Sequence, residues 1–220
     1  MPDFVRVMVA KAKEHLAEVT RLYERDLGSQ TLSPDLLYAI RSVVQDCQSA
    51  LDATATRVKE TYGKPSNWKP YFPLTSPPAG RAEFDKKLEE QIRGLALTQP
   101  NVAAAIERHQ PYNSGKTELG YLHKLCRANK HADFTAQTQQ RRKEWTQGGV
   151  TWTEGVSWTG GVYVGVGGQM RPMGEPATTS VTIYVHWMFV DPPVPVLPTL
   201  RALVAQVEAA VEDIHDAASL

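Results

Sequence analysis

Val5, Met8, Val9, Ala12, Leu16, Val19 and Tyr23 recur at steps of three and four residues, the spacing that lines one face of an α-helix. A helix is predicted over Asp3–Leu27, with Gly28 as its stop. Ser33-Pro34 then offers an N-cap followed by proline in the first turn. The next stripe, Leu37, Ile40, Val44, Cys47, Leu51, Ala55, Val58 and Tyr62, keeps register without interruption up to Gly63 and Pro65. A helix of that length buries its stripe against several partners, so it is expected to be the spine of the fold. Five prolines between Lys64 and Gly80 exclude a regular helix there. Helical spacing resumes over Arg81–Leu95 through Phe84, Leu88 and Ile92, again after Pro100 as far as Arg108, and from Thr117 to about His131 with Leu119, Leu122 and Cys126 inward.

From Phe134 the period shortens to two. Val150–Trp152, Val156–Trp158, Val162–Val166 and above all Val181–Phe189 alternate apolar with polar residues, and glycine pairs separate them. Three or four antiparallel strands are predicted. Asp191–Pro198 reads as a proline-rich connector, and Leu200, Leu203, Val204, Val207, Val211 and Ile214 mark a last helix over 198–218. The expected fold class is therefore α+β. An amphipathic frame of five to six helices (1–133) carries a three- to four-stranded antiparallel sheet inserted before the C-terminal helix. The β-rich excursion covers 134–190, and residues 1–220 are expected to form a single domain.

Composition adds bounds. At 220 residues, 42 % hydrophobic and 22 % charged, the chain can bury a sizeable core, and wholesale disorder is not expected. No apolar run reaches the roughly 20 residues that span a bilayer, and the charged N-terminal stretch lacks a signal-peptide core, so the expected address is the cytoplasm. The two cysteines, Cys47 and Cys126, sit on helical stripes and read as core thiols; neither a disulfide nor a four-ligand zinc site is expected. No cofactor and no metal are predicted. Charge is zero overall but uneven: residues 1–149 hold 22 basic and 17 acidic side chains, residues 150–220 hold 2 and 7. Within Arg108–Lys143 eight basic residues stand against two acidic ones, joined by His109, His123 and His131. Such a stretch can attract phosphates, or it can be a solvated face.

Motif searches exclude more than they admit. Asn113-Ser114-Gly115-Lys116-Thr117 lacks the upstream glycine and the leading strand of a phosphate-binding P-loop, and the glycines near Val162–Val166 sit between strands. Asp46 and Asp52 fall on different helix faces, Glu89 and Glu90 lie on an amphipathic surface, and no serine is flanked as in a nucleophile elbow. The stretch Leu122–His131 is richer. His123, Arg127 and His131 stand four residues apart on one helical stripe. Arg127 could clamp a phosphate while His131 moves a proton. His123 and His131, roughly 12 Å apart on a helix rising about 1.5 Å per residue, cannot share a metal. His123, Lys124, Asn129, Lys130, Arg141 and Arg142 are the candidate nucleic-acid contacts, with Trp145, Trp152 and Trp158 as candidate base-stacking or core groups.

Ile40–Val58 (IRSVVQDCQSALDATATRV), the Phe72-Pro73 dipeptide and Gln110–His131 (QPY, then LGYLHKLCRANKH) are similar to segments of a group of bacterial, actinobacterial-type helical proteins. That group carries RSALDH-like, FP, QPY and N-x-x-KH motifs, and the likeness covers about residues 33–135. The group in turn resembles the higher eukaryote and prokaryote nucleotide-binding (HEPN) helical proteins. Nuclease members of that class use an arginine, four to six residues, then a histidine, at a dimer interface. The resemblance implies metal-independent RNA cleavage, with histidine as acid or base and arginine stabilising the phosphate, RNA as partner, a homodimer, and a defence or toxin–antitoxin setting. Here the long-helix motif has Gln48 and Ala53 where arginine and histidine would stand, and only three residues separate Arg127 from His131. The expectation is thus an RNA-directed protein with Arg127 and His131 as catalytic pair. The alternative is a non-catalytic protein-interaction or scaffold protein with a protein partner.

Overall fold

A computed structural model describes residues 3–29, 31–65, 67–76, 78–114, 117–130, 137–147, 150–153, 157–159, 162–164, 170–172, 180–189 and 191–219; at 114, 117, 127–130 and from 137 to 186 it describes the backbone alone. The chain divides into two compact units, Met1–Ala136 with Phe189–Leu220, and Gln137–Met188.

The first unit is helical. Helix α1 (Asp3–Ser29) buries Val5, Val9, Ala12, Val19, Leu22 and Tyr23, and α2 (Pro34–Tyr62) buries the expected stripe from Ile40 to Val58. Ser33 caps α2 through its Oγ, which accepts from Leu36 N at 3.2 Å, and Pro34 opens the helix as its fixed φ favours. The two helices form an antiparallel hairpin. His15 meets Asp46 at 2.7 Å across it, and the buried carboxylate of Asp26 accepts from Ser33 N at 2.6 Å at the connection. Burial opposes ionisation of Asp26, but hydrogen bonds from Ser33 and the Arg25 guanidinium hold its carboxyl below the usual range.

The expected helix over Arg81–Leu95 is broken in the structure. Helix α3 (Arg81–Gln91) ends before Gly94, whose φ of 81° lies in the left-handed region that glycine adopts without strain, and α4 (Leu95–Thr98) follows as one turn. Helices α5 (Pro100–Arg108), the single turn α6 (Pro111–Ser114) and α7 (Thr117–Lys130) complete the frame before the second unit. The final helix, α8 (Val196–Ala218), starts two residues earlier than expected, because Pro198 lies in its first turn, where a missing N–H costs nothing. It packs on α1, α2, α5 and α7 and buries Leu200, Leu203, Val204, Val207, Val211 and Ile214. Cys47 and Cys126 are both buried, and burial, followed by the neighbouring Cys126 thiol and Asp46, pushes the Cys47 thiol up. No helix among the described residues is long and apolar enough to cross a membrane.

These facts correct the α+β expectation. Among its described residues the unit is an assembly of eight helices with no sheet, and only Trp187, Met188 and Phe189 among the strand residues have described side chains. The reason is packing: the helical stripes are already covered by one another, α1, α2 and α8 at the centre with α5 and α7 around them. Nor does the separate unit carry a single sheet of three or four strands. Its backbone runs β1 (Gln137–Gln147), β2 (Val150–Thr153), β3 (Ser157–Thr159), β4 (Val162–Val164), β5 (Met170–Pro172) and β6 (Ser180–Phe189), in the orders β2-β1-β6 and β3-β4-β5. Strand β1, rich in glutamine, arginine and lysine, shows no apolar alternation and so escaped a reading based on hydrophobic period.

Candidate functional site

The proline-rich segment after α2 looks structureless in the sequence, yet it is held at both ends by the motifs that carried the family resemblance. Asp52 Oδ1, on α2, accepts from Phe72 N and from Gln48 Nε2, each at 2.8 Å. Gln110 of the QPY motif is completely buried; its Oε1 accepts from Thr75 N at 2.9 Å and Thr75 Oγ1 at 3.2 Å, while its Nε2 donates to Ile106 O at 3.2 Å. Tyr112 of the same motif donates to Glu107 at 2.9 Å, and burial, then that hydrogen bond, raises its phenol. Phe72, Pro73, Leu74 and Thr75 are buried between these clamps. Lys87 Nζ closes the end of the segment on Leu74 O at 2.9 Å.

Fixing the segment opens a groove beside α2. One lobe, about 640 Å³, lies between Phe4, Val5 and Met8 of α1, the α2 face from Ser49 to Glu60, and Lys69, Pro70 and Tyr71. A second lobe, about 400 Å³, shares Thr56, Glu60, Lys69 and Pro70 with the first and continues past Lys59, Lys64, Asn67 and Trp68. Phe4 and Tyr71 in the first lobe and Trp68 in the second are 61 %, 61 % and 59 % exposed, unusual for large apolar side chains.

Four cations line the two lobes: Arg57, Lys59, Lys64 and Lys69. None has a carboxylate partner among the described residues, whereas Arg21, Arg25, Arg81 and Arg108 elsewhere in the unit are each paired. Lys59 is buried, donates to Trp68 O, and sits 5.3 Å from the centre of the Trp68 ring. At that position the ring's negative face attracts the ammonium, which holds the indole in place. Two carboxylates share the lining, Glu60 and Asp52, and Asp52 is engaged by Phe72 N and Gln48. The lining is therefore cationic and aromatic.

Of the residues singled out by sequence, His123 and Lys124 are not among those that line the groove. His123 is half-buried on α7, and Lys124 is exposed with its Nζ 3.4 Å from Asp191. Arg127, Asn129 and Lys130 lie on the C-terminal turns of α7 and Arg141 and Arg142 on β1, with side chains outside the description; His131 is outside the described residues. The basic stretch that begins at Arg108 is partly neutralised: Arg108 holds Asp213 at 2.7 Å, and buried His109 meets the same carboxylate at 2.9 Å. The hydrogen bond from Arg108, against burial and with help from His109, keeps Asp213 low in pKa. Among the described residues no group of three or more His, Cys, Asp or Glu is arranged to hold a metal ion. Sequence reasoning missed the groove because Trp68, Lys69 and Tyr71 fell in the segment read as loop; a proline-rich run holding three aromatics and two lysines was the available signal.

The long-helix motif itself is now placed. Gln48 is buried, bonded to Asp52 and 3.8 Å from Cys126 Sγ of α7, and Ala53 lines the first lobe. No family model, no curated protein and no solved structure matches the chain.

Proposed function

We propose that this protein binds nucleic acid, with RNA as the expected partner, through the groove between α1, α2 and residues 67–71. The observation that carries the reading is the coincidence, in two adjoining lobes, of three accessible cations without carboxylate partners among the described residues (Arg57, Lys64 and Lys69) and three exposed aromatic rings. Phosphates are attracted by the former and bases stack on the latter. The reading is one of binding rather than cleavage on α2. Position 48 is occupied by a buried glutamine committed to Asp52, and position 53 by alanine, so neither of these two positions supplies a guanidinium or an imidazole. The HEPN-like resemblance supports the same partner class.

Fluorescence anisotropy with a labelled RNA of mixed sequence tests it. Binding should weaken steeply between about 50 and 200 mM salt, and the double change Arg57→Glu with Lys69→Glu should reduce affinity at least about tenfold. Binding that ignores both salt and the double change refutes the groove as the site. A second reading, metal-independent cleavage by Arg127 and His131, is favoured by one contact: Cys126 places α7 against the long-helix motif at Gln48. Gel analysis of the same RNA in chelator, beside His131→Ala, decides it; intact RNA, or equal cleavage by both proteins, removes that reading.

A further inference from the structure

Resting on the proposed nucleic-acid reading, we infer that the groove takes a single strand and not a duplex, its bases stacking on Trp68 and Tyr71 while Arg57, Lys64 and Lys69 hold the backbone. Trp68 borders the second lobe and Tyr71 the first, so each lobe has one exposed ring from the same segment. Residues 69–71 have no helical structure, and three residues of extended chain span at most about 10 Å. The two rings are therefore close enough to meet neighbouring bases of one strand. In a duplex those base faces are covered by their own neighbours, and no ring can reach them without unstacking the helix.

The platforms are held in place, which sets them apart from loosely exposed aromatics. Trp68 is fixed by Lys59, through both its carbonyl and its ring. Tyr71 is fixed through its backbone: Tyr71 N donates to Gln91 Oε1 at 2.9 Å, and the next residue, Phe72, is clamped by Asp52 at 2.8 Å. Lys59 is thus a positioning residue; its ammonium is buried under the indole and is not offered to the ligand. Lys69 lines both lobes, where a single phosphate between two stacked bases would sit. Charge complementarity argues for a polyanion as the occupant: Arg57, Lys64 and Lys69 face two carboxylates, one of them already committed to the loop.

The test uses the full chain and four labelled probes of equal length: single-stranded RNA, single-stranded DNA, duplex RNA and duplex DNA. Both single strands should bind, each at least about tenfold more tightly than its duplex. Similar binding of the two single strands supports the inference, because stacking and phosphate contacts use nothing that the 2′-hydroxyl supplies. Trp68→Ala and Tyr71→Ala should each weaken single-strand binding by about tenfold and leave duplex binding unchanged. Both side chains are largely exposed, and an unchanged circular dichroism spectrum verifies that the variants fold. Lys59→Met should weaken single-strand binding by several-fold while keeping the salt dependence of the wild type, as expected of a group that positions a ring and touches no phosphate. Duplex bound as tightly as single strand, or ring variants that bind normally while Arg57→Glu with Lys69→Glu does not, overturns the single-strand inference and leaves the nucleic-acid reading standing. No binding to any of the four probes overturns both.

Discussion

Replacing His215 by phenylalanine should stabilise the helical unit at neutral pH and flatten its response to acid. The imidazole is 1 % exposed, and neither ring nitrogen has a hydrogen-bond partner among the described residues. A buried polar group left unpaired costs about 1–3 kcal/mol. A phenyl ring of similar size carries no such cost, so the gain at pH 7 is about 1–2 kcal/mol after allowance for imperfect fit. The pH term follows from the direction of the shift. Burial first, then positive charge nearby, Arg57 included, lowers the imidazole from 6.5 to about 4, with Asp216 opposing. The unfolded chain therefore takes up a proton at higher pH than the folded one. Stability is whole above pH 6.5 and declines as the pH falls towards 4. At about 1.4 kcal/mol per unit, this linkage removes about 2 kcal/mol between pH 7 and pH 5. Urea unfolding of both proteins at the two pH values, followed by far-ultraviolet circular dichroism, isolates the term, because the other titrating groups cancel in the comparison. The advantage of His215→Phe should widen by about 2 kcal/mol at the lower pH. An advantage of equal size at both pH values, or a variant less stable than wild type at either, refutes the reasoning.

Two further outcomes follow from the clamps. Gln110→Ala leaves Thr75 N and Ile106 O without their buried partner and should cost about 2–3 kcal/mol, read by urea unfolding, with faster amide exchange at Phe72, Leu74 and Thr75 as the local signature. Asp26→Asn should lower stability by about 1–2 kcal/mol at pH 7. Because the folded carboxyl titrates below its unfolded value of 3.8, the wild-type advantage is present above that value and disappears as the pH falls through the folded one, which an acid titration of both proteins will show.

The helices were legible in the sequence to the extent that period alone decides them. All six stripe residues named on the last helix are buried, as are Ile40, Val44, Cys47, Leu51, Ala55 and Val58 on α2. Leu22 was missed on α1, and Asp26 beside it, because a buried carboxylate is made tolerable by Ser33 and Arg25, partners that only the hairpin turn brings near. The single-sheet expectation failed for a related reason. Apolar alternation identifies strands but does not say which strands pair or what their faces cover. The groove was illegible for a third: whether a lysine is neutralised depends on carboxylates far away in the chain, as Lys13 with Glu208 and Arg108 with Asp213 illustrate. QPY and the aspartate of the long-helix motif were visible as letters, but their role as loop anchors appears only when Thr75 and Phe72 are placed against them.

The helical unit is discontinuous along the chain: Gln137–Met188 intervenes before Phe189–Leu220 completes it. On a ribosome adding roughly 5–20 residues per second, those 52 residues take about 3–10 s to emerge. Throughout that interval the nascent chain displays the apolar surfaces of α1, α2, α5 and α7 that α8 will later cover. Those surfaces stay open to non-native association until synthesis supplies the helix that closes them.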